Sequence, residues 1–292
     1  MSITSALFTG VSGLINNGEA MNVIGNNLSN VNTIGFKGAR TLFSDMLSAS
    51  IGNNSQIGRG MQMQKVDNLF TQSSFETTEN VTDLAIQGDS FFALGVPTAA
   101  PGAAVVATDA YYTRAGAFRT DNNRYLVNPD NYKVLGADMV PIRFAATVTV
   151  GANTLNFQKV SGIDAQGVIR VLYADAAGNS SVQYYNGNDA VTDTAPGVKI
   201  AIGRVDNPGG LEKVGGTLFR STGTGLGASG NPSITTANGS TEKINSNSLE
   251  LSNVDMASQF VKMIITQRAY SANSKTITTT DEMMQEALGL KR

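Results

Sequence analysis

The sequence predicts an α+β chain, with N- and C-terminal helices pairing as a coiled coil and a mainly-β domain between them. Apolar residues recur at helical spacing near both ends, while short alternating runs broken by Gly, Asn and Pro fill the middle. Charged residues are only 15% of the chain and the net charge is −2. Soluble domains ordinarily carry about 25% charged residues, so much of a surface this poor in charge is expected to be covered by something else, such as neighbouring subunits.

The N-terminal helix is expected within residues 1–36. Leu7, Leu14, Met21 and Leu28 fall seven apart, and Val11 lies four after Leu7. This is a heptad-like stripe on one face. An ordinary amphipathic helix packed on its own domain would show the same period. The remaining positions are mostly Ser, Asn, Thr and Gly, where a solvated face would carry Lys and Glu, so that face is expected to pack as well. Clustered asparagines end the helix because their side chains compete for backbone hydrogen bonds, and Gly35 is placed to take a positive φ, with Phe36 docking behind it.

Residues 37–74 are read as an extended connecting segment and 75–220 as the β domain. Strand candidates are 84–86, 91–94, 111–113, 148–150, 167–172 and 198–202. Turns are expected at Gly116, Asn122-Asn123, Asn128-Pro129-Asp130 and Asn207-Pro208-Gly209-Gly210. Residues 221–248, rich in Gly, Ser, Asn and Thr, read as a linker. The C-terminal helix is expected within 249–292, capped by Ser252 or Asn253. Its stripe includes Val254, Val261, Ile264, Ile265, Met284 and Leu288. The β-branched run Thr276 to Thr280 invites a kink near Thr278, although a continuous helix is also compatible with it.

Composition narrows function. The chain has no Cys, His or Trp, which removes disulfides, thiolate chemistry, the usual general base and the commonest neutral metal ligand. No stretch approaches the roughly 18 apolar residues of a membrane span, and no basic cluster suits nucleic acid. Residues 1–35 lack the basic n-region of a secretory signal. The run Gly223-Thr224-Gly225-Leu226-Gly227 has no strand–loop–helix context and no terminal Lys-Ser/Thr, so it reads as linker rather than a phosphate loop. Asp121-Asn122-Asn123 reads as a hairpin turn, and Asp281, Glu282 and Glu286 as a solvated or interface face. No catalytic, cofactor or metal residue is assigned. The expectation is a protein that is not an enzyme. A secreted adhesin or binding module would need exposed aromatics in one cleft, for which Tyr111, Tyr112, Tyr184 and Tyr185 are the candidates.

Five ordered stretches carry a resemblance. They are residues 25–37, with Asn26, Asn27, Asn30, Gly35 and Phe36; residues 82–88 with Phe91-Phe92; residues 112–118; residues 207–211; and residues 249–255, with Asn253 and Val254, continuing to Gln267, Arg268 and Tyr270. Together they resemble the bacterial flagellar rod and hook axial family from end to end of the chain. The resemblance implies a self-assembling helical tube with the end helices in its inner coiled-coil layer. It also implies partnership with other axial proteins (rod, hook cap, hook–filament junction) and passage through the flagellar type III export apparatus without a cleaved signal. Residues 132–136, 207–211 and 281–286 look most like hook members, placing the chain in the extracellular hook as a flexible, torque-transmitting joint. Hook members usually insert an outer β domain after a segment like Val140-Pro141-Ile142, and residues 143–160 leave room for almost none. The alternative is the distal rod, spanning the periplasm.

Overall fold

The computed structural model describes residues 3–47, 49–52, 55–99, 102–107, 109–150, 153–175, 178–187, 190–192, 197–221 and 232–290. The chain divides into two units, one of residues 1–31, 37–69 and 254–292, the other of residues 32–36 and 70–253.

The first unit holds both helices, α1 (Ile3–Ser29) and α2 (Met256–Gly289). The segment expected as an extended connection carries strands. Ala39–Asp45 pairs antiparallel with Met61–Asn68, with a register slip between Leu42 and Phe43, and Ala49–Gly52 pairs with Ser55–Ile57. Two asparagines of α1 bind this hairpin through its backbone. The Asn16 amide donates to Met61 O at 2.8 Å and accepts from Met63 N at 2.8 Å. The Asn27 amide donates to Ala39 O at 2.7 Å and accepts from Ala39 N at 2.9 Å. A carboxamide offers one donor and one acceptor side by side, which is what an open strand edge requires.

Asp255, and neither Ser252 nor Asn253, caps α2: its carboxylate accepts from Ala257 N at 3.2 Å and Ser258 N at 3.1 Å. Asn253 instead donates to Thr71 O and Thr71 Oγ1, while Ser252 O accepts from Ser73 Oγ. The helix continues unbroken through the threonine run. There the hydroxyls of Thr276, Thr278, Thr279 and Thr280 turn back to bond carbonyls of the preceding turn. Their polar groups are thereby satisfied within the helix.

Among the described residues, the second unit is built from antiparallel sheets. The largest has nine strands and is centred on Phe91–Gly95, which pairs with Tyr111–Thr113, Lys133–Val134 and Ala201–Arg204. A five-stranded meander runs Thr147–Val150, Asn153–Ile163, Ile169–Ala174, Ser180–Tyr185 and Val191–Thr192. The core joins inward residues of both, with Phe92, Leu94, Phe144, Ile169, Val171 and Ile202 fully buried. Every strand candidate has a paired counterpart at or beside its position, although in the last one Lys199 and Ile200 contribute isolated bridges and the strand proper starts at Ala201.

Within 221–248, residues 222–231, including the Gly223–Gly227 run, lie outside the described residues. The rest is not free linker: Ser233–Thr236 pairs with Ala201–Arg204, and Lys243–Ser246 pairs with Leu84–Gln87. A single buried apolar residue, Ile244, anchors the latter strand, too weak a pattern to stand out among polar neighbours. Ser248–Glu250, at the boundary between the expected linker and the segment of the terminal helix, is a strand paired with Phe75–Thr77.

Candidate assembly interface

The buried face of α1 consists of Gly10, Gly13, Asn17, Ala20, Ile24 and Asn27, at alternating spacings of three and four. The matching inward positions of α2 are Gln259, Met263, Thr266, Ala269, Asn273, Ile277, Thr280 and Met284. A side chain added at Gly10 would meet Ile277, one at Gly13 would meet Asn273, and Asn27 Nδ2 donates to Gln259 Oε1 at 3.5 Å. The helices therefore lie antiparallel, side by side. Glycine at two seam positions lets the backbones approach, and the amides satisfy one another or nearby carbonyls, as when Asn17 donates to Gly13 O at 2.8 Å.

This seam is not the one the apolar spacing predicts. Leu7, Leu14, Met21 and Leu28 are half-buried and Val11 is exposed. On α2, Val261 is 57% exposed, Ile264 50%, Ile265 61% and Leu288 71%. Met284 is half-buried and Val254 is buried. Gly10, Gly13, Asn17, Gln259, Thr266 and Asn273 line the seam beside Ile24, Met263 and Ile277, while Val261, Ile264, Ile265 and Leu288 are exposed. Apolar side chains of α2 are thereby left facing solvent.

The motif residues separate into two groups. Asn26, Asn27 and Asn30 finish α1: Asn30 N bonds to Asn26 O and Asn27 O, and Asn30 Nδ2 donates to Asn26 O at 2.8 Å. Gln267, Arg268 and Tyr270 are exposed on α2 and are not gathered with them. In the second unit, Gly35 has φ +67° and lies directly against the Ala115 backbone. Gly35 N donates to Glu250 O at 2.8 Å. Phe36 is buried, its carbonyl accepts from Asn253 N, and Lys213 Nζ sits 4.1 Å from its ring centroid. Burial lowers the Lys213 ammonium below its ordinary range.

Sequence reasoning missed Arg114 and Glu250, which form a buried ion pair at 3.3 Å in the second unit. Burial lowers the Arg114 guanidinium pKa, and Glu250 opposes that shift. The four tyrosines weighed for a binding cleft do not make one. Tyr112 and Tyr185 are fully buried, and Tyr111 packs on Tyr132 with centroids 5.0 Å apart. Burial also pushes the Tyr112 phenol up. Asp121 turns a hairpin, its carboxylate accepting from Tyr125 N at 2.8 Å. Among the described residues no group of three or more acids could hold a metal, and no helix is long and apolar enough to cross a membrane.

Comparison with known proteins agrees with this division. Residues 7–37 match the model of the flagella basal body rod protein family, and 85–171 match that of the flagellar hook protein FlgE/F/G D1 domain. Residues 245–290 match that of the flagellar basal body rod FlgEFG protein C-terminal region. The chain is 35% identical over 303 residues to the flagellar basal-body rod protein FlgG of Bacillus subtilis, covering 98% of this chain and 99% of that one. It is 32% identical to FlgG of Borreliella burgdorferi, over 98% of each chain. Similarity to the flagellar hook protein FlgE of Borreliella burgdorferi is 28% over 460 residues, covering 98% and 99%. With a relative at this identity matched over nearly its full length, and family models along both ends and the β region, the chain belongs to the flagellar rod and hook family of axial structural proteins.

Proposed function

We propose that the chain is a distal-rod subunit of the flagellar basal body, polymerising with copies of itself into a helical tube that spans the periplasm. The observation that carries this reading is collinearity. The rod-named relative from Bacillus subtilis aligns over 303 residues, whereas the hook-named relative from Borreliella burgdorferi needs 460 to cover the same share of this chain. The longer alignment is what an inserted outer domain in the hook relative would produce. The comparisons thus favour the rod over the hook assignment drawn from residues 132–136, 207–211 and 281–286.

In the tube, α1 and α2 form a coiled-coil layer in which Leu7, Val11, Leu14, Met21, Leu28, Val254, Val261, Ile264, Ile265, Met284 and Leu288 meet neighbouring subunits. Their exposure or partial exposure supports that role for all but the buried Val254. Contacts of one patch on a different patch do not close on themselves and so propagate a filament. The partners are other axial proteins at either end and the flagellar export apparatus. The family's structural character argues that the chain works by assembly and not by catalysis.

Electron microscopy of the purified protein under polymerising conditions tests this, beside a copy lacking residues 255–292. Straight, stiff tubes from the intact chain alone are expected. Curved tubes would return the assignment to the hook. Failure of the intact chain to polymerise would remove the reading that it builds a tube from copies of itself.

A further inference from the structure

Beside the seam, α1 carries a second feature. Phe8, Val11 and Ile15, at i, i+3 and i+7, line an open apolar groove of roughly 570 Å³ with Met46 and Arg59 from the segment after α1. All four apolar residues are exposed. Arg59 is exposed and is the one charged residue in the groove lining, with Asp45 adjoining Met46 on the neighbouring strand and Glu19 the sole charge of α1.

We infer that this groove receives the last turns of α2, residues 281–290, from a second copy of the chain. The inference rests on the polymer reading above and names its contact. Three observations point to this occupant.

The first is length. α2 has 34 residues and α1 has 27. Gly10 lies level with Ile277, Gly13 with Asn273 and Asn27 with Gln259. At about 1.5 Å rise per residue in both helices, α2 from about residue 284 onward has no α1 residue level with it. The second is pattern. Met283, Ala287 and Leu290 recur at i, i+4 and i+7 and are exposed, the complement of the groove's own spacing. The third is charge. Between Thr276 and Leu290 the only charged residues are Asp281, Glu282 and Glu286, all exposed, against the single cation Arg59. A continuous helix cannot fold back into its own groove, so the donor is another molecule.

The absence of Cys makes the test clean. V11C and A287C variants are prepared separately, mixed at polymerising concentration and oxidised. A covalent heterodimer is expected from the mixture and not from either variant alone, since a disulfide needs Cα atoms about 4.4–6.8 Å apart. Arg59→Glu should cut the yield about fivefold, and Arg59→Glu mixed with Glu286→Lys should restore it to within about twofold. All these positions are exposed, so folding is not at risk.

No heterodimer, or an equal yield from V11C with V261C, overturns the inference. The latter would mean that the groove takes the Phe260–Ile265 face instead. Tubes that form without the V11C–A287C bridge sink this contact while leaving the rod reading standing. A bridge without tubes would do the reverse.

Discussion

Arg114 Nη1 donates to Glu250 Oε2 at 3.3 Å, joining residues 136 apart in sequence with side chains 1% and 0% exposed. Several segments of the second unit converge on this pair. Glu250 Oε1 accepts from Ser73 N, and its backbone carbonyl accepts from Gly35 N. Arg114 donates to Ile86 O and Gly88 O, and its guanidinium lies 5.0 Å from the Phe91 ring centroid. The pair therefore clasps the segments on which the chain enters and leaves this unit.

Such a pair adds little stability relative to a well-packed apolar substitute, because desolvation offsets the attraction. Removing one partner is a different matter, since it strands a buried charge. Glu250→Gln or Arg114→Met is expected to destabilise the β unit by about 3–5 kcal/mol. Arg114→Met combined with Glu250→Gln should cost less than the two single changes summed. Urea denaturation followed by tyrosine fluorescence measures both, and additive losses would rule out the clasp.

Gly35 holds a left-handed turn hard against the Ala115 backbone. A Cβ there faces both an unfavourable φ, costing roughly 1 kcal/mol, and a backbone that has no rotamer with which to yield. Gly35→Ala is expected to lower the unfolding free energy by about 2 kcal/mol or more. Gly18→Ala, at a helical position with open space around it, should be neutral or mildly stabilising. Paired thermal melts of the two variants decide the matter.

The two faces of the helices give opposite expectations. Gly13→Leu should force α1 and α2 apart, because Asn273 already occupies the space. Helicity and monomer stability would both fall. Ile264→Ser with Ile265→Ser alters exposed positions and should change monomer stability by less than about 0.5 kcal/mol per site. Assembly should nevertheless be abolished if these side chains meet a neighbour. Circular dichroism of the monomer and sedimentation of the polymer separate the outcomes. Normal sedimentation of the double serine variant would remove Ile264 and Ile265 from the interface.

The contrast shows where sequence reasoning succeeds and where it stops. The turn at Gly35 and the strands at Leu84, Phe91 and Tyr111 announce themselves through local chemistry: a residue free to take positive φ, or a short apolar or aromatic run, buried almost throughout. The helix–helix seam does not. Periodicity reasoning follows apolar residues, and here Gly10, Gly13, Asn17, Thr266 and Asn273 do the packing while Val261 and Ile265 face solvent. Arg114 and Glu250 were invisible for a related reason. Each sits inside a motif that can be read, but nothing local says that two charges so distant are one buried pair. Ser180–Tyr185 escaped as well, its polar residues hiding a strand that buries Gln183 and Tyr185.

The overhang of α2 makes a dynamic prediction. Isolated helical turns without tertiary packing are marginal, because each added residue gains only one hydrogen bond against its ordering cost. Residues 284–290 have no α1 residue level with them, and Leu288 and Leu290 are 71% and 88% exposed. Their amides should exchange with solvent far faster in the monomer than those of residues 259–277, which lie along the seam. If assembly buries the overhang, exchange there should slow by at least about a hundredfold in tubes, while the seam amides change much less. Hydrogen–deuterium exchange read by mass spectrometry on monomer and polymer resolves the two stretches. Equal protection of residues 284–290 in both states would mean that the last turns of α2 take no part in subunit contact.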